Sequence, residues 1–240
     1  MPNTIGPDPF SFNNLNTGIL ERVPLLLPAI QEQRAIASVL SSLDDKIDLL
    51  HRQNKTLEAM AETLFRQWFV EGAKEDWEDD CVGDVSYINT TTITNAYEHF
   101  EILYLDTSSL TDGVFGSLQP LSITEAPSRA KRLFKHNDVL ISTVRPDQRH
   151  YGIMKSPVEN LVISTGVCVI TTTQIDPHFL YLLLTSEEMT EYLHSIAEGS
   201  TSTYPSLKPS DLAALTFRKP PQSRHDEFAK ISRESWDKMT

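Results

Sequence analysis

Two short stretches concentrate the side chains that bind nucleic acids. Residues 145–151 read Arg-Pro-Asp-Gln-Arg-His-Tyr directly after an apolar run, placing Arg145, Gln148, Arg149, His150 and Tyr151 in one turn. An arginine fork fits the O6 and N7 of guanine, a glutamine amide fits the N6 and N7 of adenine, and both side chains also hold phosphate oxygens. The second stretch, 198–205, is rich in hydroxyls: Ser200, Thr201, Ser202 and Tyr204 follow a helical pattern. Its hydroxyls and backbone N–H groups suit phosphate oxygens. Around the first stretch lies a basic island. With Arg129, Lys131, Arg132, Lys135 and Lys155, residues 127–156 hold seven basic side chains against two acids, Asp138 and Asp147. The plain alternatives are a solvated turn and a solvated charged face.

Other chemistries lack their residues. The sequence has no Gly-rich phosphate loop, no H-E-x-x-H and no G-x-S-x-G, so no catalytic residue is assigned. Pro146-Asp147 hints at a nuclease motif, but no acid followed one residue later by Lys completes it. The seven histidines show no ligand spacing, and Cys81 and Cys168 stand apart from any His/Cys cluster. No metal or cofactor is therefore expected, and the cysteine usage suits a reducing cytoplasm. No run of about 18 apolar residues offers a membrane span. The net charge of −12 opposes binding to a polyanion, and only the local basic island answers it.

A long helix is expected to position these groups. Residues 31–70 contain neither Gly nor Pro, and Pro28 sits just upstream, where a helix can begin. Ile36, Leu40, Leu43, Ile47, Leu50, Asn54, Leu57, Ala61, Leu64 and Trp68 follow one another in steps of 4 and 3 without a break. That is a coiled-coil seam, since a helix lying on a globular surface drifts to a 3.6 period. About 40 residues at 1.5 Å each give a rod of about 60 Å. Asn54, at a core position, needs a partner amide or a wet, splayed seam. Gly72 is expected to cap the helix in the left-handed conformation, and the acidic stretch 71–80 reads as a hydrated linker.

The remainder reads as mixed α/β. Strand-like runs occupy 102–105, 138–144 and 166–170, Asp112-Gly113 marks a turn, and 177–198 reads as one helix ending at Gly199. The fold class is α+β: a mixed α/β domain joined to a coiled-coil-forming spacer helix. The chain also repeats weakly at an offset of 192, with Leu15, Val23, Leu25 and Pro28 over Leu207, Leu215, Phe217 and Pro220. The expected organisation is therefore 1–30 as the tail of one domain, 31–72 as the spacer helix, 73–220 as a complete domain and 221–240 as the start of a second spacer helix.

Several motifs in the helix carry a family resemblance. Leu27-Pro28-Ala29-Ile30-Gln31-Glu32-Gln33-Arg34, then Leu43-Asp44-Asp45-Lys46-Ile47-Asp48, Asn54-Lys55-Thr56-Leu57-Glu58 and Leu64-Phe65-Arg66-Gln67-Trp68-Phe69-Val70 resemble the spacer of type I restriction-modification specificity subunits. The following domain is similar to a target recognition domain. The resemblance implies a non-catalytic subunit that reads half of a split site in double-stranded DNA. It also implies methyltransferase subunits and a nuclease-translocase subunit as partners. One recognition domain and one full helix fit a half-length or truncated form, completed by a second copy or another half-subunit through the spacer helices. The competing expectation is a coiled-coil adaptor whose domain binds protein.

Overall fold

The computed structural model describes residues 17, 21, 23–24, 26–94, 96–156, 158–201 and 203–239. Most of the expected domain tail at 1–30, including Leu15 and Leu25 of the first arm of the 192-residue repeat, and Ser202 lie outside the described residues. Two compact units divide the chain, Met1–His51 and Arg52–Thr240.

The helices are α1 (Ile30–Phe65), which runs into a π-helical turn (Arg66–Val70), α2 (Val82–Val85), α3 (Pro177–Thr185), α4 (Glu187–Glu198), α5 (Pro209–Ala213) and α6 (Gln222–Trp236). The strands are β1 (Asp79–Cys81), β2 (Ser86–Ile88), β3 (Glu101–Leu105), β4 (Leu110–Thr111), β5 (Val114–Phe115), β6 (Gln119–Ser122), β7 (Ala130–Arg132), β8 (Val139–Ser142), β9 (Tyr151–Ile153), β10 (Leu161–Ser164), β11 (Val167–Thr172) and β12 (Thr216–Arg218). One four-stranded sheet has the order β6-β3-β10-β7 and another β2-β11-β8-β9, with two-stranded ribbons β1-β12 and β4-β5. Pairing is antiparallel except between β3 and β10.

Strand alternation builds three layers of core. Leu140, Leu161, Ile163, Val167, Val169 and Leu105 pack together between the two sheets. The alternate residues of the same strands point the other way: Val139, Ile141, Cys168 and Ile170 join the helical core, while Ile102, Tyr104 and Val162 form a separate cluster on the first sheet. Successive side chains of a strand face opposite sides, and here both sides are covered. That is why β8 and β10 are buried at every position and read as continuous apolar runs.

Two sequence expectations change. The expected single helix over 177–198 is two helices, because Ser186 leaves helical geometry (ψ 152°) and its hydroxyl accepts a hydrogen bond from the Met189 N–H as an N-cap. Gly72 is not left-handed; among the described glycines only Gly113 has positive φ. A Cβ on Gly72 would lie 2.6 Å from the Gln67 carbonyl oxygen, so crowding against the π turn is what demands a glycine there.

The heptad seam behaves differently along its length. In the first unit Ile36, Leu40, Leu43, Ile47 and Leu50 are all between 41% and 56% exposed. In the second unit Ala61 and Phe65 are buried, and Asn54, Leu57, Leu64 and Trp68 are half-buried. Helix α6 covers this part. Phe228 lies 6.1, 5.0 and 6.3 Å from the rings of Phe65, Phe69 and Trp68, and the Arg224 guanidinium stacks 4.7 Å over Trp68. The Asn54 amide donates to the Met239 carbonyl at 3.3 Å. Residue 68 meets 224 and residue 54 meets 239, so the two helices run antiparallel. The partner of Asn54 is a backbone carbonyl rather than a second amide.

Candidate nucleic-acid interface

The two candidate loops, some fifty residues apart in the chain, form one surface. Both ends of the 3₁₀ turn Pro146–Gln148 are left-handed, Arg145 at φ 49° and Arg149 at φ 54°. Non-glycine residues seldom take that conformation unless their surroundings enforce it. The enforcing contacts are visible. The Arg145 N–H donates to the Pro205 carbonyl at 3.0 Å, Leu207 N–H donates to Thr143 at 2.7 Å, and Val144 bridges Ser206. The Arg145 guanidinium lies 4.7 Å over the ring of Tyr204, a cation–π stack. Both side chains are exposed.

Helix α4 fixes the other side of the turn. His194 Nδ1 stands 3.2 Å from Asp147, its Nε2 3.5 Å from Glu198, and Arg149 pairs with Glu187 at 3.9 Å. The β4-β5 ribbon clasps the loop from below: Asp112 and Gly113 donate backbone N–H groups to the carbonyls of Arg149 and Tyr151, both at 2.9 Å. Asp112 (φ 46°) and Gly113 (φ 77°) form the expected two-residue turn. Sequence reading did not connect His194, Glu187 or this ribbon to the loop. The available signals were the i, i+4 pair His194/Glu198 and the Asp-Gly turn.

The remaining candidates divide by what their polar atoms do. Gln148 is exposed, and its Oε1 lies 3.2 Å from His150 Nε2. His150 Nδ1 is held 2.6 Å from the Leu110 carbonyl. The Tyr151 hydroxyl donates to Asp112 at 3.1 Å, and burial raises the pKa of that phenol. Arg129 pairs with Asp106 at 3.0 Å, and Arg132 donates to the Thr165 carbonyl at 3.2 Å. Thr165 adjoins Gly166, whose carbonyl accepts from Thr143 N–H at 2.8 Å. The β10–β11 turn therefore brings Arg129 and Arg132 alongside the strand that leads into Arg145. Lys131 and Lys135 are exposed, as is Thr201, whereas Ser200 is half-buried with its hydroxyl 3.4 Å from that of Ser206.

Lys155 is not brought to this surface. Its Nζ contacts Asn137 at 3.2 Å and His178 Nε2; His178 in turn meets the fully buried Asp176, which also accepts from Arg233. Burial, offset in part by Asp237 and Asp176, lowers Lys155 to about 8. The cluster fastens α6 to α3. Among the described residues no group of three His, Cys, Asp or Glu side chains could hold a metal, and no helix is long and apolar enough to cross a membrane.

An exposed arginine stacked on a tyrosine, with amide and hydroxyl groups in the same two loops, can grip anions and read planar hydrogen-bonding edges.

Parts of the chain resemble known proteins. Residues 10–59 match the family model described as type I restriction modification DNA specificity domain. Over 159 residues the chain is 29% identical to the type I restriction enzyme HindI specificity subunit of Haemophilus influenzae; the match takes in 65% of this chain and 34% of that protein. The chain thus spans about a third of that relative's length. The crystal structure of the HsdS subunit from Thermoanaerobacter tengcongensis superposes with a TM-score of 0.54 at 24% identity, over 68% of this chain and 43% of that one. The type I restriction-modification S subunit from M. genitalium gives 0.55 at 14% identity, over 88% and 55%. The structural likenesses show the mixed α/β fold with its long helix. The family-model match and the HindI relative are similarities to type I restriction-modification specificity subunits, and the solved structures bear on the fold alone.

Proposed function

We propose that this chain is a non-catalytic, sequence-reading subunit of a cytoplasmic type I restriction-modification complex, and that it binds one half of a split site in double-stranded DNA. The observation that carries the reading is the convergence of residues 145–151 and 199–206 on one exposed surface, with Arg145 stacked on Tyr204. Side chains of the kinds that grip phosphates and read base edges come together there. In this reading the spacer helices dock methyltransferase subunits, and through them a nuclease-translocase. The exposed seam Ile36–Leu50 supports a helical partner in the same role, either a second copy or another half-subunit.

The test is duplex binding as salt is raised. A DNA reader loses affinity steeply with salt, and Arg145→Ala and Arg149→Ala each weaken binding. An adaptor that binds protein gives no duplex affinity above that of an acidic control protein of similar charge, and that result would overturn the proposal.

A further inference from the structure

Resting on the DNA-reading proposal, we infer that Arg145 reads a guanine in the major groove and that Tyr204 is its positioning residue. The argument is one of elimination among the cations and of geometry at the one that remains. Arg129 is committed to Asp106, Arg149 faces Glu187, and Arg132 gives its NH2 to the Thr165 carbonyl while its Nε is buried. Lys131 and Lys135 present single ammonium groups, which bind phosphate as point charges. Among the described residues Arg145 alone of these arginines has neither a carboxylate partner nor a hydrogen bond from its guanidinium.

Its presentation is also specified. The left-handed backbone at φ 49°, the N–H bond to Pro205 and the buried Pro146 set the direction of the side chain. The Tyr204 ring then lies under the guanidinium, 4.7 Å from its central carbon to the ring centroid. A guanidinium held over an aromatic ring keeps its N–H donors available, and its fork matches the paired O6 and N7 acceptors of guanine. A residue meant only to neutralise phosphate needs none of this orientation. The backbone strain at Arg145 is consistent with a side chain aimed at something outside the chain.

The experiment selects duplexes from a random library with the full chain at low salt, then replaces each guanine of the enriched motif by 7-deazaguanine, which removes N7. At one guanine the replacement weakens wild-type binding roughly 10- to 100-fold. That ratio falls to near one in Arg145→Ala and in Arg145→Lys, because Lys keeps the charge but not the fork. Tyr204→Phe retains the ratio and Tyr204→Leu loses most of it, a split that a merely structural tyrosine would not produce. If no motif is enriched, the DNA-reading proposal itself fails. If a motif is enriched but no 7-deaza effect depends on Arg145, the guanine assignment fails and DNA reading stands. If Tyr204→Leu keeps the full ratio, the positioning role fails.

Discussion

Replacing Asp176 by Ala removes the hub that joins α6 to α3. The carboxylate is fully buried; it accepts from the His178 N–H at 2.9 Å, lies 2.9 Å from His178 Nδ1, and accepts from Arg233 Nε at 2.9 Å. Losing the N-cap of α3 costs about 1 kcal/mol. His178 is 2% exposed, so its orphaned ring N–H adds about 1–3 kcal/mol. Arg233 is 63% exposed and turns to water, so its share is small. The sum is roughly 2–4 kcal/mol, or about 4–16 °C in Tm for a protein of this size. Urea unfolding followed by tryptophan fluorescence reads it directly, since Trp236 lies 4.7 Å from the His178 ring. Asp176→Asn keeps the cap acceptor and loses distinctly less. A loss below about 0.5 kcal/mol in Asp176→Ala, or equal losses in the two variants, would refute the hub.

The same cluster sets a pH dependence. Burial lowers the pKa of His178, against the pull of Asp176 and with help from Lys155, and burial likewise lowers that of His225. The folded state therefore binds fewer protons than the unfolded chain below the ordinary histidine value of about 6.5, and stability falls as pH drops through that range. His178→Gln flattens the decline in a urea series from pH 8 to 5; an unchanged slope would exclude His178 as the source. Gly152→Ala puts a Cβ 2.8 Å from Leu110 Cδ1 and 3.3 Å from the Phe115 ring, which costs about 1–3 kcal/mol in the same denaturation assay. Leu43→Asp sits on a position 55% exposed and leaves Tm within about 2 °C, while light scattering shows reduced association; intact association would remove the seam as a docking face.

What could be read from the residues in advance depended on local period. The 4-3 spacing marked the seam, and Asp112-Gly113 marked a turn, because both are set by neighbours in the chain. The break at Ser186 was less visible, since Leu180, Leu183, Leu184 and Leu193 continue an apolar pattern across it and only the serine cap interrupts the backbone. The partner of Asn54 lies 185 residues away and has no local signal. Arg145 and Tyr204 were each singled out by chemistry, yet their stacking depends on strand β8 meeting the segment after α4. Lys155 counted toward the basic island by sequence position, but the turn after β9 directs it to His178 instead. Charge counts along a chain do not say which cations share a face.

The loop surface around Arg145 is tested most directly by photo-crosslinking. A photoreactive amino acid at position 148 or 203, both exposed, is expected to crosslink to duplex DNA under ultraviolet light. At position 100 it is not expected to, although Phe100 is 85% exposed. Residue 100 precedes β3, which runs parallel to β10, and so lies at the far end of that sheet from the Thr165–Gly166 turn. Crosslinks from 148 and 203 but not from 100 are the predicted result. Crosslinks from 100 alone, or from all three positions equally, would contradict the account.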